Sequence, residues 1–333
     1  MTRRLVIACL VLLTAAAVVG SYFFYHALLD HRAAQAGPIK EVVIPPGAGL
    51  KKTAQILAKE GVVDHAALFW LAAWLTGKRG GLKAGEYGLS AAMSLRDILG
   101  AIHAGRVLEH KVVIPEGFAL AQIVERLAGL KLLKAEEALA LARDRQFLDG
   151  LGIKADSLEG YLFPDTYYFA RGLGTRKVIT ALARRFLVEW EHLAPAAAAL
   201  GLSRHQAVTL ASIIEREAKL EAERPLISSV YHNRLKKGMP LQADPTVIYG
   251  LPRFEGNLTR DHLGQDTPYN TYLKKGLPPG PICSPGRASL KAALHPAPED
   301  YLYFVAKGDG SHQFSRTYPD HSRAVRRFQI NRR

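Results

Sequence analysis

Glu41-Val42-Val43-Ile44-Pro45-Pro46-Gly47 and Lys111-Val112-Val113-Ile114-Pro115-Glu116-Gly117 share one pattern. Each opens with β-branched residues that suit a pleated, half-buried surface. Pro and Gly then turn the chain. Apolar residues at helical spacing follow, at Leu50, Ala54, Ile56 and Leu57 in the first and at Leu120, Ile123, Val124 and Leu127 in the second. A weaker echo lies between them, at Gly85-Glu86-Tyr87-Gly88-Leu89, then Met93-Ser94-Leu95, then Ile98 and Leu99. Strand, turn and amphipathic helix, three times over, predict an α+β protein whose first folded part is a module of weakly repeated units. The same three-part pattern is also common as a purely local arrangement.

Toward the N-terminus the composition changes. Leu5 to Tyr25 carries no acidic or basic residue. A helix of about 20 such residues crosses a ~30 Å hydrocarbon layer. Arg3 and Arg4 precede it, so the positive-inside rule puts residues 1–4 in the cytoplasm and the rest of the chain outside. Tyr22, Phe23, Phe24 and Tyr25 would form an aromatic belt at the outer interface. A cleaved signal peptide is the competing reading. The run is longer than the usual apolar core of about 7–15 residues, and the aromatic cluster is a poor cleavage site, so a retained single-pass anchor is expected. The predicted organisation is a head at 1–4, a transmembrane helix at 5–25, a polar linker at 26–38, the α+β module at 39–110 and a larger α+β domain at 111–333.

Toward the C-terminus, Ala135 to Ala142 is rich in good helix formers. Leu158-Glu159-Gly160-Tyr161-Leu162-Phe163-Pro164-Asp165-Thr166-Tyr167 crowds aromatics, Gly and Pro together, as in an ordered loop beside a site. Helices are expected from Thr175 to Leu193, from Ser203, where Ser203 and Gln206 fit a capping box, and from Arg224 to Lys237. Met239 to Pro298 is too long and too rich in Pro, Gly, Asn and Tyr for a plain loop, and reads as a site-forming region. Tyr301–Val305, a Gly308-Asp309-Gly310 turn and His312–Phe314 predict a hairpin, and a basic helix is expected over Asp320–Phe328.

The formal net charge of +14 favours anionic partners, whether nucleic acid, lipid headgroups or carboxylate-rich glycopeptide. The basic residues are spread along the chain with no DNA-binding motif, so nucleic acid is not expected. GxxxxGK[ST], HExxH and GxSxG are absent, as is GxGxxG in a βαβ setting. Cys9 and Cys283 form no CxxC pattern, and His295 before Pro296 has no ligand spacing, so neither a metal nor a cofactor is expected.

Chemistry is sought instead on the Ser203 helix. In projection, Ala207, Leu210, Ala211, Ile214 and Ala218 form an apolar stripe, with Glu215 and Glu217 on its two flanks. A carboxyl at the rim of a buried face has its charged form disfavoured, which raises its pKa toward what a general acid needs. Either glutamate could instead be held in an ion pair, for example with Arg224. Gln242, Asp244 and Thr246 alternate, so on an extended segment they would share one face able to bind sugar hydroxyls; a structural turn before Pro245 explains Asp244 equally well. Tyr249, Asn270 and Tyr272 add the aromatic faces and amides that carbohydrate clefts use.

These segments together resemble the endolytic murein transglycosylase family, also called the YceG-like family. The resemblance runs over nearly the whole chain. Its most specific pieces are Leu158 to Tyr167, Ala211-Ser212-Ile213-Ile214-Glu215-Arg216-Glu217, and Leu241-Gln242-Ala243-Asp244-Pro245-Thr246-Val247-Ile248-Tyr249-Gly250. Tyr269-Asn270-Thr271-Tyr272, Gly276-Leu277-Pro278-Pro279-Gly280-Pro281-Ile282 and Ala293-Leu294-His295-Pro296-Ala297 add to it. It implies that 39–110 is LysM-like and that the catalytic domain cuts peptidoglycan strands between N-acetylmuramic acid and N-acetylglucosamine, leaving 1,6-anhydro ends. It further implies Glu217 as the catalytic acid, with Glu215 as the neighbour to test next, and a place beside penicillin-binding synthases at the inner membrane. Asp244 or Glu159 could supply the second carboxylate of a muramidase-type hydrolase, and Gln242, Asp244 and Asn270 could stabilise an oxocarbenium-like charge. A non-catalytic, membrane-tethered wall-binding protein is the remaining alternative.

Overall fold

The computed structural model describes residues 2–330; Met1 of the expected head and 331–333 at the end of the expected catalytic domain lie outside them. The protein is mixed α+β and divides into two compact units. The first comprises Met1–His110 with Tyr168–Gly172, and the second Lys111–Tyr167 with Leu173–Arg333.

In the first unit, α1 (Thr2–Asp30) is followed by β1 (Lys40–Ile44), α2 (Leu50–Lys59), α3 (Ala66–Leu75), β2 (Gly85–Leu89) and α4 (Leu95–Ala104). From Arg3 to Asp30, α1 is long and apolar enough to cross a membrane. Strand β1 pairs antiparallel with β2, Lys40 opposite Leu89 and Ile44 opposite Gly85. Along β1, Val42 and Ile44 are buried while Glu41 and Val43 are exposed, the alternation that a one-sided sheet requires. Val42 and Ile44 join Tyr87, Leu89, Leu57, Phe69, Ile98 and Ile102 in one core.

The start of the linker expected at 26–38 is corrected. Helix α1 continues through its first five residues, because Leu28 and Leu29 are apolar and find places in that core. In the rest of the linker, Ala34 N–H donates to the Ala91 carbonyl at 2.9 Å and the Ser90 hydroxyl donates to the Gly37 carbonyl at 2.9 Å. Residues 168–172 join this unit through Arg171, whose Nη1 lies 3.1 Å from the buried Glu86 carboxylate. His110 reaches the same carboxylate at 2.6 Å. Burial works against the Glu86 charge, but these hydrogen bonds outweigh it and hold its pKa below the ordinary value.

The second unit, with the first residue of β3 and the last two of β4 belonging to the first, carries β3 (His110–Val113), α5 (Leu120–Gly129), α6 (Ala135–Leu141), α7 (Arg145–Gly150), β4 (Thr166–Phe169), α8 (Thr175–Ala199), α9 (Arg204–Glu217), α10 (Arg224–Lys236), α11 (Asp244–Gly250), α12 (Arg260–Gly264), α13 (Arg287–Leu294), β5 (Tyr303–Ala306), β6 (His312–Ser315) and α14 (Tyr318–Val325). Strand β3 pairs with β4, and β5 with β6 in an antiparallel hairpin. The last helix starts two residues before the expected Asp320, because the Thr317 hydroxyl caps it by accepting from Asp320 N–H, and it passes into a π-turn at Arg326–Ile330. Helix α8 outruns its expected end at Leu193 and closes at Ala199.

Helix α9 is the spine of the second unit. Its cap is reciprocal: the Ser203 hydroxyl accepts from Gln206 N–H, and the Gln206 side chain accepts from Ser203 N–H at 2.9 Å. All eight residues from Ala207 to Ile214 are buried. The Ser212 hydroxyl accepts from Ile282 N–H at 3.0 Å, fastening the Pro-rich segment before α13 to the helix. That segment approaches the Leu158–Tyr167 stretch so closely that a Cβ on Gly160, where φ is +82°, would fall 2.5 Å from the Pro281 side chain.

Candidate active site

Glu217 is the last residue of α9, and the chain turns extended at Ala218. A helix C-terminus carries the negative end of the backbone dipole, which disfavours a carboxylate there. Tyr231, buried on α10, donates its hydroxyl to Glu217 Oε1 at 3.2 Å. Glu217 keeps partial solvent contact through a pocket of about 300 Å³ that also exposes Arg234, Gln242, Asp244, Tyr272 and His312. Burial is the main cause that pushes its pKa up to about 7; the negative charge of Asp244 adds to it, and the Tyr231 hydrogen bond opposes it. Asp244, in the first turn of α11, accepts the Tyr272 hydroxyl at 2.6 Å. Burial first, then this bond to Asp244, raises the Tyr272 pKa far above the ordinary phenol, so the hydroxyl stays protonated and donates.

Arg234 lies one helical turn beyond Tyr231 on α10 and is buried. Its guanidinium donates to the Leu302 carbonyl at 2.7 Å, to the Leu241 carbonyl at 2.7 Å, and to Gln242 Oε1 at 3.3 Å. It also lies over the Tyr303 ring, 5.3 Å from the centroid. Gln242 has φ +53°, a left-handed conformation costly for a residue with a side chain. With its side-chain oxygen facing Arg234, its amide N–H groups are the free donors. The opposite wall comes from the C-terminal hairpin and α14: Phe304, Val305, Ala306, His321 and Val325. His321 stacks on Tyr303 at 5.1 Å, and burial, with the Arg234 charge, lowers its pKa and keeps it neutral. His312 is held by Glu223, whose carboxylate lies 2.7 Å from Nδ1.

Of the residues singled out in the sequence, Glu217, Gln242, Asp244 and Tyr272 come together at this pocket. The other five lie elsewhere. Glu215 pairs with Arg224 at 3.2 Å and accepts Gly286 N–H at 3.0 Å, tying α9 to the start of α13. Glu159 is buried, accepts Leu120 N–H at the first residue of α5 and the Tyr249 hydroxyl, each at 3.0 Å, and burial pushes its pKa up to about 7. Tyr249 is thereby occupied with Glu159, and its ring packs on Tyr269. Thr246 and Asn270 are fully buried. The Thr246 hydroxyl sits between the Ala243 carbonyl and Thr271 Oγ1, and the Asn270 amide donates to the Leu263 and Gln265 carbonyls, so both hold the framework rather than line the pocket.

The shared polar face expected for 242, 244 and 246 is therefore corrected. The segment is not extended: it enters α11 at Asp244, and two residues along a helix turn a side chain by about 200°, which sends Thr246 inward. Tyr231, Arg234, His312 and His321 were not singled out in the sequence. The spacing of three between Tyr231 and Arg234 on an expected helix was the available sign that they share a face. Among the described residues, no group of three or more His, Cys, Asp or Glu is arranged to hold a metal ion.

The YceG-like family model matches residues 42–327. The chain belongs to the YceG-like family. Its relatives include the endolytic murein transglycosylase of Bacillus subtilis (strain 168), 33% identical over 329 residues that cover 93% of this chain and 91% of the relative. The protein of the same name from Streptococcus pneumoniae serotype 2 (strain D39) is 30% identical over 97% of this chain and 65% of its own length. Among solved structures, a putative YceG-like protein of Listeria monocytogenes is 35% identical, with a TM-score of 0.60, over 86% of this YceG-like chain and 99% of that one.

Proposed function

We propose that this YceG-like protein is a membrane-anchored lytic transglycosylase that cuts within peptidoglycan glycan strands, with Glu217 as the catalytic acid. One observation carries the reading: a carboxyl whose pKa is pushed up to about 7 opens onto a pocket that also holds a second carboxylate and neutral hydrogen-bond donors. The names of the relatives from Bacillus and Streptococcus support the substrate and the reaction class.

Protonated Glu217 gives its proton to the oxygen between N-acetylmuramic acid and N-acetylglucosamine, and the C1–O bond breaks. Positive charge develops at C1 of the muramoyl residue, where the Asp244 carboxylate and fixed dipoles offset it. The C6 hydroxyl of the same sugar closes on C1, and its proton passes to the Glu217 carboxylate. The acid is regenerated, no water is consumed, and a 1,6-anhydro end remains. Two carboxyl groups on one pocket, Glu217 and Asp244, are also what a muramidase-type hydrolase uses, with Asp244 attacking C1 or activating water.

Retention of α1 as an anchor is supported by its last turns, where Tyr25, Leu28 and Leu29 contribute to the core of the first unit, so cleavage in that stretch would remove core side chains. The reading puts the short head in the cytoplasm and both units outside the inner membrane, with 39–110 a LysM-like glycan-binding module, 111–333 the catalytic domain and penicillin-binding synthases as neighbours. Mass spectrometry of glycan strands digested by the purified full chain tests the reaction. Anhydromuramoyl ends are expected; reducing ends would replace the transglycosylase by a hydrolase, and uncut strands would leave a wall-binding protein.

A further inference from the structure

Helix α3 is unusual for a helix at a protein surface. Its ten residues, Ala-Ala-Leu-Phe-Trp-Leu-Ala-Ala-Trp-Leu, contain no charged or hydrogen-bonding side chain except the two indoles. Phe69, Ala72 and Ala73 enter the core of the first unit. Trp70, Trp74 and Leu75 do not: they are 46%, 52% and 37% exposed. Trp70 and Trp74 are four residues apart and so share one side of the helix. On a water-facing helix that side is polar, and contiguous exposed apolar surface marks a contact with something else.

The neighbour of α3 says what that contact is. Leu75 lines a groove of about 650 Å³ together with Ala17, Gly20, Ser21, Phe24 and Tyr25 of α1. All five belong to the uncharged run from Leu5 to Tyr25. At 1.5 Å per residue, Ala17 lies about 12 Å deeper along that run than Tyr25. A side chain sharing a groove with this stretch shares its depth. Basic residues return directly after the helix, at Lys78 and Arg79, where anionic headgroups would attract them. A second protein chain could cover tryptophans, but the common depth with α1 favours lipid.

The geometry points to α3 as a second membrane contact: an interfacial helix whose Trp70, Trp74 and Leu75 enter the boundary between headgroups and acyl chains of the outer leaflet. This rests on the reading of α1 as a membrane span. Interfacial helices bury their apolar side about 5–10 Å into that boundary, which matches the stretch of α1 beside Leu75. Indoles favour the same zone, because an apolar ring and an N–H donor are both accommodated there.

The test uses the full chain reconstituted into phosphatidylcholine–phosphatidylglycerol vesicles whose acyl chains carry bromine close to the headgroup. The chain has three tryptophans, and the third, Trp190, is buried on α8 in the second unit. Brominated lipid is expected to quench much of the wild-type emission and to leave that of W70F/W74F nearly unchanged. Both substitutions are at exposed positions and keep the helix apolar. Equal, weak quenching of the two proteins would overturn the proposal, as would blue-shifted wild-type emission that bromine does not quench, which would mean that protein covers the face. Flotation in alkaline carbonate reports the anchor separately. A chain that stays with the vesicles but escapes quenching sinks the α3 contact and leaves the span standing, whereas a chain stripped from the vesicles sinks both.

Discussion

Replacing Glu217 by Gln keeps the size of the side chain and an oxygen to accept from Tyr231 Oη, but removes the acidic proton. At pH 7 a carboxyl whose pKa is about 7, against an ordinary 4.5, is about half protonated instead of roughly one part in three hundred. On the proposed assignment the site therefore holds its acid ready at neutral pH, and the variant loses it altogether. General acid catalysis contributes about 10²–10⁴ in rate, so E217Q should cut strands that much more slowly, with little change in strand affinity. The wild-type rate should fall as pH rises through about 7, as the acid form is lost. Stability should fall with rising pH as well. The folded pKa lies above the unfolded one, so ionisation of Glu217 begins to cost stability as pH rises past 4.5, and the full cost, up to about 3 kcal/mol, is present above 7. E217Q escapes that cost, so its Tm should exceed that of the wild type at pH 8 and match it near pH 4. Initial rates of anhydromuramoyl release, read by mass spectrometry, and paired thermal melts at the two pH values check both arms. An E217Q rate within about tenfold of the wild type would refute the assignment of the acid.

D244N removes the negative charge that helps to raise the Glu217 pKa, so the descending limb of the pH–rate profile should shift to lower pH, and a profile that stays in place would separate the two carboxylates. Breaking a buried pair by truncating one partner costs about 3–5 kcal/mol, so E215A should lower the Tm strongly by stranding Arg224, while the product of the surviving enzyme stays the same. G160A should destabilise or prevent folding, since its Cβ meets Pro281 and its φ is positive; a Tm within a degree of the wild type would show that the Pro-rich segment gives way.

The strands β1, β2 and β3 and helices α9 and α10 were legible because period and punctuation agree there: alternating Val42 and Ile44, a Pro–Gly turn, a Ser203–Gln206 cap. Helix α3 was not, because an all-apolar decapeptide has no polar face for periodicity to report. The five residues that moved the start of the linker are helical because Leu28 and Leu29 have a distant core to enter, which is tertiary information. At the site, the flanking positions of Glu215 and Glu217 followed from helical projection, and so did the ion-pair alternative that Glu215 adopts with Arg224. Thr246 and Asn270 misled because a short polar side chain in a Pro- and Tyr-rich stretch looks the same in sequence whether it faces a ligand or satisfies a buried carbonyl. Arg234 was silent because its partners, the carbonyls of Leu241 and Leu302 and the Gln242 amide, are assembled only when the hairpin closes over α10.

Because Leu28 and Leu29 are both the end of α1 and part of a folded core, no swivel separates the two. With α1 across a bilayer, any lean of that helix becomes a lean of the first unit. Apolar helices adjust their lean to the thickness of the hydrocarbon layer they cross. On the proposed reading of α1 as a span and of the chain as a wall enzyme, the lipid composition around the protein becomes a steering input, setting the angle at which the first unit addresses the wall.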